Sequence, residues 1–196
     1  MATHVDRLAS ASFYQLRRIR AIRRSLSTSM SIQLVNSFVA SRIDYCNSLL
    51  AGLPACQLDR IQLVLNGAAR IIYGRGKYDH ITPILRDKLH WLRVPERIRF
   101  KCCLLTYKAL NNQAPQYIAN MCIKTSSSGR RSSLRSATHN ILTVPRTKTK
   151  FGDRSFAVSG PSAWNRLPDS VKTATSVDVF KSRLKTHLFR ESYALM

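Results

Sequence analysis

Val35, Val39, Ile43, Cys46 and Leu50 recur at intervals of four, four, three and four residues, and only an α-helix brings that repeat onto one face. The Ser/Thr cluster STSMS at 27–31 supplies a cap in front of it, and Gly52 and Pro54 stop it behind. The spacing predicts a helix of about 20 residues. It also decides how SRIDYCNSLL (41–50) is read, where an acid, a tyrosine and a cysteine stand side by side. On a helix Asp44 is turned by about 200° from Cys46. The two cannot form the nucleophile and base of a covalent catalyst. Cys46 is therefore expected inside, as a small core hydrophobe.

The same periodicity extends in both directions. Val5, Leu8, Ser12, Leu16, Ile19, Arg23 and Leu26 make one stripe ahead of the first, and Leu58, Ile61, Leu65, Ala68 and Ile72 make another behind it. Gly67, Ala68 and Ala69 keep part of the third helix low, so that another backbone can approach, and Gly74 and Gly76 end it. Helices two and three, separated by few residues, should form an antiparallel hairpin. A short piece opens at Thr82-Pro83, a longer helix at Pro95 carries Ile98, Cys102, Leu105 and Ala109 inward, and Pro115 starts a short one. Trp91, in LHWLRV, is expected to plug a helix junction.

After residue 122 the character changes. KTSSSGRRSSLRSATHN (124–140) has almost nothing to bury and reads as a linker or surface loop. Residues 124–154 hold eight basic residues and one acid. Beyond them lie β-like runs at Ile141–Val144 and Phe156–Val158 and a last amphipathic helix from about Ser176, with Val177, Phe180, Leu184 and Leu188 on one face and Lys181, Lys185 and Arg190 outside. The expected organisation is a helical domain over 1–122, a basic Ser-rich linker over 123–150 and a small basic module over 151–196. The fold class is mainly α: an antiparallel helical bundle followed by a basic, partly irregular segment.

In this 196-residue chain Lys and Arg outnumber Asp and Glu by 32 to 10. The surplus runs through both parts, and it calls for a polyanionic partner: nucleic acid first, an anionic membrane surface second. No apolar stretch approaches the ~20 residues of a membrane span. Five cysteines, an odd number with no secretory leader in front, point to reduced thiols in cytosol or nucleus. His80, His90 and the Cys102-Cys103 pair are the one conceivable metal set; surface imidazoles and core thiols explain them more simply, and no metal or other cofactor is expected. The Arg- and Ser-rich start has the composition of a mitochondrial transit peptide, yet its stripe runs straight on towards the next helix, as in a structural element of the domain.

SFVASRIDYCNSLLAGLP, IQLVLNGAARIIYG, HITPILRDKLHWLRVPERIRFK, FGDRSFAVSGPSAWNRLP and FKSRLKTHLF resemble, in order, successive blocks of the non-LTR (LINE-type) retrotransposon reverse transcriptases of the jockey-like group. They resemble the part that follows the polymerase palm, over about residues 4–189. The resemblance implies a thumb-like helical region and the basic C-terminal segment of an RNA-directed DNA polymerase, with the missing palm and fingers as a possible partner. The chain departs from that pattern in two places. Polymerase chemistry needs metal-holding aspartates, two of them adjacent, and no two acids here are neighbours. The cysteine-histidine knuckle of some relatives is also missing. Asp44 in SRIDYCN is not the metal motif.

No catalytic or metal residues are therefore assigned, and the expected activity is sequence-independent grip on RNA or DNA through phosphates. Candidate contacts are Arg17, Arg18, Arg20, Arg23 and Arg24 on the first helix and Arg130, Arg131, Arg135, Arg146, Lys148 and Lys150 in the basic segment. Trp164 is a candidate for base stacking, with the role of hydrophobic anchor as its alternative. Two other functional readings remain: a helical protein-interaction module, and an inactive gene-model remnant of a retroelement. The expected location is nuclear or cytoplasmic.

Overall fold

The computed structural model describes residues 1–125 and 140–193, which are mainly helical and contain no strand of a sheet. Their contacts divide them at Pro95–Glu96, with residues 48–52 joining the second unit; the shift in composition lies further on, at 122–123. The first unit is built on α1 (Ala2–Ile22), α2 (28–44) and α3 (Ala55–Tyr73). α1 buries Val5, Ala9, Ser12, Leu16 and Ile19, the expected stripe with Ala9 in the place of half-buried Leu8. It packs chiefly along α3, whose Ile61, Val64, Leu65, Ala68, Ala69 and Ile72 are buried. The low surface at Gly67 faces α1: a Cβ built there would stand 3.6 Å from both Leu16 and Phe13. Leu58 lies at the edge, half-buried. Gly74 ends α3 in the left-handed region at φ 62°, with the Arg75 amide returning to the Arg70 carbonyl at 2.8 Å. Trp91 is buried as expected, after a π-turn at Ile84–Lys88 that follows Thr82-Pro83.

α2 departs from the sequence expectation. It begins where STSMS placed it, the Ser27 hydroxyl accepting from the Met30 amide at 3.1 Å. It widens into a π-turn at Asn36–Ala40 and ends at Asp44, well short of Gly52. The extra residue of a π-turn shifts the phase of the helix, so Val39 and Ala40 are both buried. Tyr45 then turns extended, Cys46 takes φ +50°, and Asn47–Leu50 form a 3₁₀ turn. Cys46 is consequently exposed, not in the core. Leu50 stays buried although the helix that was to carry it has ended.

The second unit contains α4 (Val94–Leu110), α5 (Gln116–Ala119), α6 (Phe156–Asn165), α7 (Asp169–Lys172) and α8 (Val177–Tyr193). α4 buries Ile98, Cys102, Cys103, Thr106, Tyr107 and Ala109, with Leu105 half-buried. Tyr107 stacks on Phe180 of α8 at 4.2 Å between ring centroids, and Trp164 of α6 lies 6.0 Å from the same ring. Phe180, Leu184 and Leu188 are fully buried, as the amphipathic pattern of the last helix predicts.

Two segments expected as β-like differ. Phe156–Val158 is the start of α6, and the helix continues through Gly160-Pro161. The β preference of Phe and Val is overridden by packing. Ile141–Val144 forms one antiparallel bridge, Leu142 opposite Lys124, with the Thr125 amide on the Ile141 carbonyl at 3.0 Å and the Thr143 amide on the Ile123 carbonyl at 2.8 Å. Asn165 substitutes for a further strand: its side chain accepts from the Leu142 amide at 2.9 Å and donates to the Leu142 carbonyl at 2.8 Å.

Gly160 is held to glycine by this packing, since a Cβ there would stand 2.9 Å from the Phe156 ring and 3.0 Å from the Thr106 hydroxyl. Gly160→Ala should cost about 1–2 kcal/mol, the overpacking penalty less the helix-propensity gain. Cys46→Ala, at an exposed turn, should stay within about 0.5 kcal/mol of the parent. Urea denaturation of the two variants checks both.

Candidate nucleic-acid interface

Burial of the Val5–Ile19 stripe leaves the remaining positions of α1 facing water. Arg17, Arg18 and Arg20 are exposed there, Arg17 and Arg20 three residues apart on one side, and Arg24 is exposed on the 3₁₀ turn Arg23–Ser25 that follows the helix. No acidic residue occurs between Asp6 and Asp44, and Asp6 itself pairs with Arg60 of α3. Arg18 sits over the Tyr14 ring at 5.9 Å from its centroid.

Arg23 stands apart from this set. Its Nε donates to the Ile71 and Ile72 carbonyls at 3.0 and 3.2 Å, one terminal nitrogen to Ile72 at 2.7 Å and the other to Leu26 at 2.8 Å. The Ile71 and Ile72 carbonyls lie in the last turn of α3, where intrahelical partners run out and the helix dipole favours a cation. The guanidinium is a C-terminal cap. Its position on the apolar stripe was the signal that separated it from its neighbours.

In the second unit, Arg146, Lys148 and Lys150 are exposed on the segment leading into α6. That segment is closed into a turn by its own polar groups. The Thr149 hydroxyl accepts from the Gly152 amide at 3.1 Å, the Asp153 amide returns to the Thr149 carbonyl at 3.1 Å, and the Thr147 hydroxyl donates to the Asp153 carboxylate. Phe151, absent from the sequence-based candidates, is 77% exposed at the tip, and the Arg154 guanidinium lies 5.8 Å from its ring centroid. The alternation Lys148, Lys150, Phe151, Arg154 was the sequence signal for it. Arg130, Arg131 and Arg135 lie outside the described residues.

Trp164 leaves the candidate set. It is 2% exposed, its indole donating to the Asn140 carbonyl at 2.9 Å, so both ring faces are shut off from a base. Of the two roles the sequence offered, it has that of anchor. The tryptophan of SAWNRLP and the asparagine beside it thus organise the fold, Asn165 by clamping Leu142.

Several other acids are held by cations. Arg86 holds Asp87 at 2.7 Å and keeps its carboxyl below the usual range; Lys181 holds Asp178 at 3.0 Å, and Arg99 holds Glu191 at 2.9 Å. Among the described residues no three His, Cys, Asp or Glu side chains come together as a metal site, and no helix is long and apolar enough to cross a membrane. An open cleft in the first unit, between Leu58, Asp59, Gln62, Ile81 and Arg93, has neither histidine nor cysteine among its lining residues. Burial pushes the Cys102 thiol up to about 11 and Cys103 to about 12, and raises Cys122 as well, so these thiols stay protonated at neutral pH. No protein-family model matches the chain, and neither does any curated protein or solved structure.

Two measurements follow from this geometry. Arg23→Met should lower stability by about 1–3 kcal/mol in urea, because charge-assisted bonds to carbonyls are lost, while affinity for nucleic acid stays at the parent value. A disulfide exchange reagent at pH 8 should modify Cys46 and Cys56, both exposed, in the native protein, and reach Cys102, Cys103 and Cys122 only after denaturation. A third fast thiol would contradict the burial described.

Proposed function

We propose that the chain is a non-catalytic part of a retrotransposon RNA-directed DNA polymerase, gripping RNA or DNA through backbone phosphates with little regard to sequence. The order of blocks from SFVASRIDYCN to FKSRLKTHLF supports the polymerase origin. The observation that carries the binding reading is the exposed arginines of α1 and the 3₁₀ turn after it, Arg17, Arg20 and Arg24, in a stretch without a single acid from residue 7 to 43. Cations so placed neutralise phosphates and release counterions. Arg146, Lys148 and Lys150 form a second such group. The missing adjacent aspartates make primer extension by this chain unexpected.

Protein interaction is the second reading, favoured by one observation: Tyr117, Met121 and Ile123 are exposed within seven residues, at 65, 39 and 52%. Such an apolar patch fits a protein surface better than a phosphate.

The test is the salt dependence of affinity. Log affinity should fall linearly with log salt, by about 0.9 for each phosphate neutralised on duplex DNA and about 0.7 on single strands. Exchanging Arg17, Arg20 and Arg24 together for Gln, or Arg146, Lys148 and Lys150, should each flatten the slope by about one to three units on duplex. Salt-insensitive binding, or none with the fold intact, would remove the nucleic-acid reading. Equal competition by anionic vesicles, lost in parallel in both triple variants, would point to a membrane surface instead.

A further inference from the structure

Phe151 is costly to leave in water: a full aromatic ring, 77% exposed, at the tip of a turn with nothing apolar packed over it. The turn does not merely tolerate this placement. The Thr149 hydroxyl on the Gly152 amide, the Asp153 amide on the Thr149 carbonyl and the Thr147 hydroxyl on the Asp153 carboxylate fix the backbone on either side of the ring. The turn closes tightly on Gly152, where a Cβ would stand 3.0 and 3.1 Å from the Thr147 side chain. The turn holds the ring outward before any ligand arrives, which reduces the ordering cost of binding.

The surroundings of the ring select the ligand. Arg146, Lys148 and Lys150 are exposed on the chain leading to it, and the Arg154 guanidinium lies over one face of the ring, 5.8 Å from its centroid. Asp153 is the one acid between Glu96 and Asp169, and its carboxylate is bonded to Thr147. An exposed ring with a guanidinium over one face, the other open to water and further cations on the same short segment, is the combination that binds a base together with its neighbouring phosphates. A paired base inside a duplex offers no free face to a side chain. A membrane surface would be served by several apolar residues along one face, whereas Thr147, Thr149 and Gly152 are the turn's other members. We infer that Phe151 is the stacking residue of a single-strand-binding turn, holding one unpaired base while Arg146, Lys148 and Lys150 contact the flanking phosphates. The inference rests on the phosphate-binding reading above and assigns its strand preference to one side chain.

The experiment compares Phe151→Leu and Phe151→Trp with the parent chain, by anisotropy of a labelled oligo(dT) strand and of a labelled blunt-ended duplex. Phe151→Leu should weaken the strand by about 5- to 150-fold, which is one base–aromatic stack of about 1–3 kcal/mol. It should leave the duplex affinity and both salt slopes unchanged. Phe151→Trp should retain strand affinity, and its added indole fluorescence should be quenched by oligo(dT) but not by the duplex. Because the ring is exposed, urea midpoints of both variants should match the parent. If strand binding persists in Phe151→Leu with an unchanged constant, stacking is refuted and the phosphate reading stands. Equal losses on strand and duplex, or loss of anionic-vesicle binding alone, likewise overturn it. Absence of salt-dependent binding by the parent chain defeats both readings together.

Discussion

With 32 basic residues and 10 acidic ones, internal ion pairing cannot neutralise this chain. The fold therefore has to separate cations from one another and place most of them in water, and the pairs it does make, near in sequence or far apart, lie at the surface. Arg86 with Asp87, Lys181 with Asp178 and Arg99 with Glu191 are partly exposed contacts worth little apiece. What holds each unit is apolar: the α1–α3 seam in the first and the Tyr107–Phe180–Trp164 cluster in the second. One arginine is used differently. Arg23 sits on the apolar stripe and reaches the carbonyl end of α3, where the chain already presents partial negative charge without needing an acid.

The same imbalance explains why the helix stripes were legible and the surface was not. Burial obeys a period, so Val5–Ile19, Ile61–Ile72 and Phe180–Leu188 could be read from spacing alone. Solvated arginines obey none, and only the structure reveals that Arg17, Arg20 and Arg24 are exposed while Arg23 is tied down. Where the period itself misled, local geometry had intervened. The π-turn at Asn36–Ala40 shifted the phase of α2, and Cys46 left the core while Leu50 stayed within it. A four-four-three-four repeat has the same appearance whether the last residues continue the helix or arrive by a 3₁₀ turn. Phe156–Val158 misled for a different reason: the β preference of Phe and Val is overridden by packing, and the helix that starts there runs on through Gly160-Pro161, where a Cβ would stand 2.9 Å from the Phe156 ring.

The block FGDRSFAVSGPSAWNRLP shows how far a motif can be taken without coordinates. The sequence offers its tryptophan two roles, base stacking or anchor, and does not single out Phe151. The fold makes Trp164 the anchor and leaves Phe151 exposed, and the cause is position within one short segment. Residues 151–154 belong to a turn closed by Thr147, Thr149 and Asp153, so a ring there points away from the helix that follows. Thirteen residues later the chain is on α6, facing Phe180, with Asn165 bonded to both backbone groups of Leu142. The first half of the block is thus a surface and the second half the brace beneath it. A sequence match to the whole block reports the brace as strongly as the surface. Changes at Asn165 or Gly160 act on the packing that holds the second half together, whereas Phe151 is exposed and a change there leaves that packing in place; only a measurement that separates stability from affinity tells the two halves apart.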